Sequence, residues 1–195
     1  LIQDAIATQY VIGHGDVIVN PMVKEGESEG FMVLDALDSA ANRILDIVPD
    51  EYVPKSGMNI AMAMKDATGP EQIAAIDKRM TVHNGMIRKG GPAKFGTAEG
   101  LSYILMAVMK KSPETRCIMS LNCTKDMLDI MEEVGFKTVV AELSKDKLIE
   151  STEKALSKCK DIPDAIVDKG SKKDRIVRLL AKDTVDMLSK LEEIL

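Results

Sequence analysis

From Met32 onward the apolar residues fall into a helical rhythm. Val33, Leu34, Ala36, Leu37, Ala40, Ala41, Ile44 and Leu45 recur at helical spacing while Asp35, Asp38 and Asn42 point elsewhere, and Pro49 follows as a stop. Asn59 to Met64 then reads as a strand, and Glu71 to Ile76 as a short helix after Pro70. Arg79–Val82 and Met86–Arg88 flank His83-Asn84-Gly85, and Asn-Gly between short apolar runs predicts a hairpin because both central turn residues need positive φ. His83 is accordingly expected as a turn residue. A glycine-rich loop, Gly90 to Thr97, leads into an apolar helix from Ala98 to about Lys111.

Beyond that point the elements alternate. Strands are expected at Cys117–Leu121, Thr138–Ala141, Ala165–Val167 and Arg175–Leu180, with helices at Lys125–Val134, Leu148–Lys158 and Asp183–Leu195. Such alternation predicts a layered α/β domain, and the hairpin makes its sheet mixed rather than purely parallel. Before Met32 the pattern is less regular. Short strands are expected around Gly13-His14-Gly15, and Glu25 to Gly30 reads as a polar loop. Residues 1–30 are therefore expected to form an arm, or a linker from a missing upstream module, and 31–195 the main domain.

Composition narrows the chemistry. The 195 residues suit one domain with a full core, and 13 Met replace the scarce aromatics as adaptable packing. A net charge of −5 offers no general attraction to nucleic-acid phosphates. Cys117, Cys123 and Cys159 show no Cys-x-x-Cys spacing, and with only His14 and His83 a histidine metal cage is not expected. No apolar run nears the roughly 20 residues that span a bilayer. A cytoplasmic, membrane-free setting is expected.

Two places could hold an anion. One is the loop before Ala98, where Thr97 could cap the helix and Lys94 add charge; the other is the turn Asn122-Cys123-Thr124-Lys125 at the next helix start. Ordinary capping and turn formation are the commoner reason for such residues at both places. Arg79, beside a turn, could clamp an anion with two parallel N–H donors, or form a surface ion pair. Asp168 ends an apolar strand, where it could accept a hydrogen bond from a ligand amino group or cap a turn.

Four segments together resemble a known family. Val53 to Ala63 resembles the "PEVGxNIxYA" segment of thiamine-phosphate synthase (ThiN) domains, and Lys94 to Ala98 their "EFGAS" loop. Ser112 to Met119 resembles "DPxxRAAMN", and Pro163 to Gly170 resembles "PDVIYDRG". The order and spacing agree from about Met32 to Leu195. The resemblance implies a three-layer α/β/α sandwich with a mixed sheet, of the architecture shared with class II aldolases. It also implies a ligand set: thiamine phosphate, or its precursors hydroxymethylpyrimidine pyrophosphate and thiazole phosphate. The expected ligand-binding residues are Asn59, Arg79, Lys94, Phe95, Gly96, Thr97, Ala98, Met119, Asn122, Thr124, Asp168 and Gly170.

The family occurs as enzymes and as the sensing part of archaeal thiamine-responsive regulators. This chain keeps the arginine at Arg79 but has Gly100 and Tyr103 where the enzymes carry histidine and arginine, and Ser120 and Asn122 where they usually have Asn and Lys. Those losses favour a ligand-sensing domain of a transcriptional regulator that binds thiamine phosphate or diphosphate, with no catalytic residue. The alternative is a synthase joining the two precursors with release of pyrophosphate. A structural module with a degenerate pocket is the third class. The sensor reading expects no cofactor, Mg²⁺ only with a diphosphate, DNA contact only through an upstream module, and a homodimer.

Overall fold

The computed structural model describes residues 25–170 and 175–195, so the strands expected around Gly13-His14-Gly15 lie outside the described residues. The chain divides into compact units at Leu1–Met32 and Val33–Leu195. The first helix, α1 (Glu25–Ile47), starts earlier than the polar pattern suggests: the loop expected at Glu25–Gly30 is helical. Adding residues to an existing helix costs far less than nucleating one, so Gly26 and Gly30 do not end it.

The main unit is built on a sheet of seven strands. These are β1 (Asn59–Ala63), β2 (Ile73–Ile76), β5 (Ala93–Phe95), β6 (Cys117–Asn122), β7 (Thr138–Ala141), β8 (Ala165–Asp168) and β9 (Ile176–Ala181), in the order β5-β2-β1-β6-β9-β8-β7. All neighbours are antiparallel except β7 and β8, which run parallel. A separate hairpin joins β3 (Met80–His83) to β4 (Met86–Lys89). Its turn has Asn84 at φ 53° and Gly85 at φ 73°, as the Asn-Gly pair requires, and His83 is the last, exposed residue of β3.

Alternating side chains of the strands feed opposite faces. Ala61, Ala63, Ile73, Ala75, Ile118, Ile166 and Leu180 pack under α2 (Gly100–Lys111) and α4 (Leu148–Leu156). Ile60, Met62, Ala74, Ile76, Met119, Val177 and Leu179 pack under α1 from Val33 onward, α3 (Lys125–Glu133) and α5 (Thr184–Ile194). The result is a three-layer α/β/α fold with a mixed sheet. Met58, Met80, Met119, Met127, Met131 and Met187 are wholly buried, filling the space that aromatics would otherwise occupy. Asp183 begins α5 by accepting the Val185 and Asp186 N–H groups, both at 2.9 Å.

Two expected elements change type. Glu71–Ile76 is not a helix: Pro70–Gln72 is one 3₁₀ turn and Ile73–Ile76 is β2. The Gln72 amide oxygen accepts the Thr68 N–H at 2.8 Å and closes that turn, while Ile73-Ala74-Ala75-Ile76 is buried on both faces and carries no period to read. The loop Gly90–Thr97 contains the short edge strand β5, paired with β2, and α2 begins at Gly100 rather than Ala98.

Truncation of Leu105, wholly buried in the α2 layer, should cost about 2–5 kcal/mol in urea denaturation of Leu105→Ala. Asp164 gives a pH-dependent case. Burial resists its ionised form, but the Lys190 hydrogen bond at 2.7 Å, the Lys137 N–H at 2.9 Å and the nearby ammonium charges outweigh this and lower its pKa. A lowered carboxyl pKa stabilises the fold above the unfolded value of about 4, and that stability is lost as pH falls through the folded value. Asp164→Asn should therefore lower Tm at pH 7, with the gap to wild type closing on acidification below pH 4.

Candidate functional site

The sheet carries a polar row inside an otherwise apolar face. Asn59 of β1 lies opposite Ser120 of β6, and Ser120 opposite Arg178 of β9, so strand register alone puts an amide, a hydroxyl and a guanidinium side by side. Above them the start of α2 and the segment before α4 leave a cavity of about 460 Å³. Asn59, Ser120, Arg178, Arg79, Lys145 and Ser56 supply its polar lining. Ala98, Leu101, Ile104, Leu148 and Ile176 supply apolar walls, and Gly57 and Gly100 complete it.

Asn59 is locked in place. Its Nδ2 donates to the Ile76 carbonyl at 3.0 Å, and its Oδ1 accepts the N–H groups of Ile60 at 2.9 Å and Ile76 at 3.1 Å. Its own N–H donates to Ser120 Oγ at 3.2 Å. The side chain thus replaces the next backbone pair between β1 and β2. The chain before β1 instead reaches the hairpin, where Met58 pairs with Met80.

Arg178 projects under the helices and is largely, though not fully, buried. Burial pulls its guanidinium below the usual range, and Asp168, with Oδ2 accepting from Nη1 at 3.0 Å, opposes that. Asp168 is held in turn by the N–H groups of Leu143 and Gly170, at 3.3 and 3.2 Å on Oδ1. Arg178 Nε has no protein acceptor among the described residues. Arg79 stands at the opposite wall. It donates from Nη1 to the Ser56 carbonyl at 2.9 Å and from Nη2 to the Glu99 carboxylate.

The expected ligand-binding set is only partly gathered here. Asn59, Arg79 and Ala98 line the cavity, and Asp168 and Gly170 adjoin it through Arg178. Lys94 is exposed on β5, Phe95 packs against the core of the other face, and Gly96 follows at φ 75°. The Thr97 hydroxyl turns to the Ala75 and Lys94 carbonyls, at 3.1 and 2.8 Å. Met119 is buried on the opposite face of the sheet. The Asn122 amide donates to the Glu51 carbonyl at 2.8 Å, and Thr124 caps α3 through the Met127 N–H at 3.1 Å. The second expected anion turn is therefore apart from the cavity.

Arg178 and Lys145 were not expected from the residue pattern. Arg178 carries a readable signal, a single guanidinium within the apolar run Ile176–Ala181. Lys145 has none, because only folding brings its loop to the cavity. Neither Cys117 nor Cys123 offers an activated thiol: burial, aided by Asp183 and Asp186, pushes Cys117 up, and burial also raises Cys123. Among the described residues no three of His, Cys, Asp or Glu cluster as a metal site, and no helix is long and apolar enough to cross a membrane.

Gly100, where the resembling enzymes carry histidine, lies on the cavity wall. A β-carbon there would approach Leu148 Cδ1 to 3.2 Å, so Leu148 already occupies part of that space. Tyr103, where they carry arginine, is partly open to solvent on α2.

The family model of the thiamine-phosphate synthase ThiN matches residues 36–193. The chain is 22% identical over 148 residues to the thiamine-phosphate synthase ThiN of Methanothermobacter thermautotrophicus, covering 69% of this chain and 77% of that one. It is 24% identical over 151 residues to the bifunctional thiamine biosynthesis protein ThiDN of Methanocaldococcus jannaschii, and that match covers 73% of this chain but spans only 36% of the relative. Two solved structures share the fold. The C-terminal domain of a phosphomethylpyrimidine kinase superposes with a TM-score of 0.78 at 18% identity, over 86% of this chain and all of that one. The C-terminal domain of protein MJ0236 gives 0.75 at 21% identity, over 88% and 94%. These relatives are named for biosynthesis and none for regulation, which overturns the expectation of a non-catalytic sensing domain in a transcriptional regulator. With the match running through α1 to α5, the chain belongs to the thiamine-phosphate synthase ThiN family.

Proposed function

We propose that this chain joins hydroxymethylpyrimidine pyrophosphate to thiazole phosphate, releasing pyrophosphate and forming thiamine phosphate. The carrying observation is the convergence of Arg79, Arg178 and Lys145 on one cavity, in a chain whose named relatives are thiamine-phosphate biosynthetic proteins. In this reaction the bond from the pyrimidine methylene carbon to oxygen breaks, and its electrons leave with the pyrophosphate. The thiazole nitrogen lone pair forms the new carbon–nitrogen bond. No proton has to move for the balance to close, so a chain with glycine at position 100 still meets the basic requirement of the chemistry.

What the step does require is fixed positive charge at the departing oxygens and a site that limits water. Arg79 and Lys145 fit the first need, since both reach the cavity from its walls. Leu101, Ile104 and Leu148 fit the second and give a flat heterocycle apolar contact. Arg178 and Asp168, tied to each other, add a fixed polar part to the lining beside Ser120.

Incubated with both precursors, the protein should form thiamine phosphate and pyrophosphate in equal amounts; product no higher than in a protein-free control would sink the synthase reading. Arg79→Ala should lower kcat/KM by about 10²–10³ while far-ultraviolet circular dichroism stays unchanged. Asp168→Ala leaves the Arg178 charge buried without its partner, and should cost about 3–5 kcal/mol in denaturant unfolding.

A further inference from the structure

The two arginines of the cavity are paired very differently. Asp168 holds Arg178 from a side chain only 13% exposed and is itself anchored by two backbone N–H groups. Glu99 holds Arg79 from a side chain 65% exposed, and among the described residues Arg79 is its hydrogen-bond partner. One pair is built in. The other is open to exchange.

The backbone at Glu99 sharpens the contrast. Its φ of 46° and ψ of −128° lie in a region that glycine enters freely and a residue with a β-carbon enters only under strain. Arg79, at φ 61°, and Lys78, at φ 57°, are also left-handed. Glu99 occupies the N-cap position of α2, yet its side chain accepts no hydrogen bond from the helix, so ordinary capping does not account for the carboxylate. The carboxylate lies instead on the guanidinium. Lys145, at the same cavity, forms no ion pair among the described residues.

We propose that Glu99, which stands between the lining residues Ala98 and Gly100 without itself lining the cavity, is a resident counter-ion of Arg79, holding that clamp until a phosphate group of the ligand displaces it. It is thereby a specificity-determining residue. A group with one negative charge exchanges one carboxylate for an equivalent partner and gains little. A terminal phosphate or pyrophosphate carries more charge and more acceptor oxygens, so it can take Arg79 and engage Lys145 together. The cavity then selects multiply charged phosphate ends, and it does so by making weaker anions compete with its own carboxylate. This inference rests on the phosphate-binding part of the proposed function but not on turnover.

The test is calorimetric titration of the full chain with inorganic pyrophosphate and, separately, acetate. Glu99→Gln should tighten pyrophosphate binding about two- to fivefold, because Arg79 then has no charged partner that the phosphate must displace, and exposed ion pairs of this kind are weak. Glu99→Gly should do the same and also raise Tm, since glycine relieves the backbone. In an Arg79→Gln background the gain from Glu99→Gln should disappear. Acetate should bind wild type far more weakly than pyrophosphate, and the Glu99 variants should strengthen acetate binding as well, because both anions then meet an Arg79 without a charged partner. Unchanged or weaker pyrophosphate binding in both Glu99 variants overturns the proposal, as does a gain that survives without Arg79. No pyrophosphate binding by any of these proteins overturns it too. Product formation is not read here, so failure of the synthase reading and failure of this one are told apart.

Discussion

The side chain of Asn59 sets the geometry on which the cavity depends. By bonding both the N–H and the carbonyl of Ile76, it ends the β1–β2 ladder without leaving buried backbone groups unpaired. The strands can then part. The segment leading into β1 is free to pair with Met80 at the hairpin, which fixes the neighbouring Arg79 opposite the polar row. An apolar residue at position 59 would leave Ile76 with two unmet hydrogen-bonding groups, each costing about 1–3 kcal/mol when buried. The amide thus serves as sheet, spacer and cavity floor together.

Much of the fold was legible in the residues because hydrophobic period and turn chemistry agree along most of the chain. The face at Val33–Leu45, the Asn84-Gly85 turn and the alternation from Cys117 onward all have enough length or special chemistry to be read. Ile73–Ile76 is too short and too uniformly apolar to show a period, and its strand character comes from neighbours on both sides. The site was less legible. Arg79 was marked by its place beside a turn and Asn59 through resemblance, but the row Asn59–Ser120–Arg178 is a fact of strand register. Asn122 and Thr124 looked like anion donors for the same reason that they make good structural partners, and here their polar atoms are spent on Glu51 and α3.

The charge arrangement separates two tasks that one arginine could not perform together. Arg178, desolvated and paired, gives the cavity a rigid polar base; its worth lies in position more than in net attraction, as for most buried ion pairs. Arg79 is nearer the surface, on strained backbone, with a partner that solvent also reaches. Strain of this kind persists only when the surrounding structure enforces it. Hydrogen bonds from Arg79 N–H to the Ile76 carbonyl and from Gly90 N–H to the Arg79 carbonyl provide that enforcement.

The contact waiting between Leu148 and any β-carbon at position 100 ties two distant parts of the sequence into one decision. A side chain at 100 is accommodated only if the end of the α4 leucine gives by a few tenths of an ångström, so the residues at 100 and 148 share one boundary of the wall. Change at either place is constrained by what stands at the other.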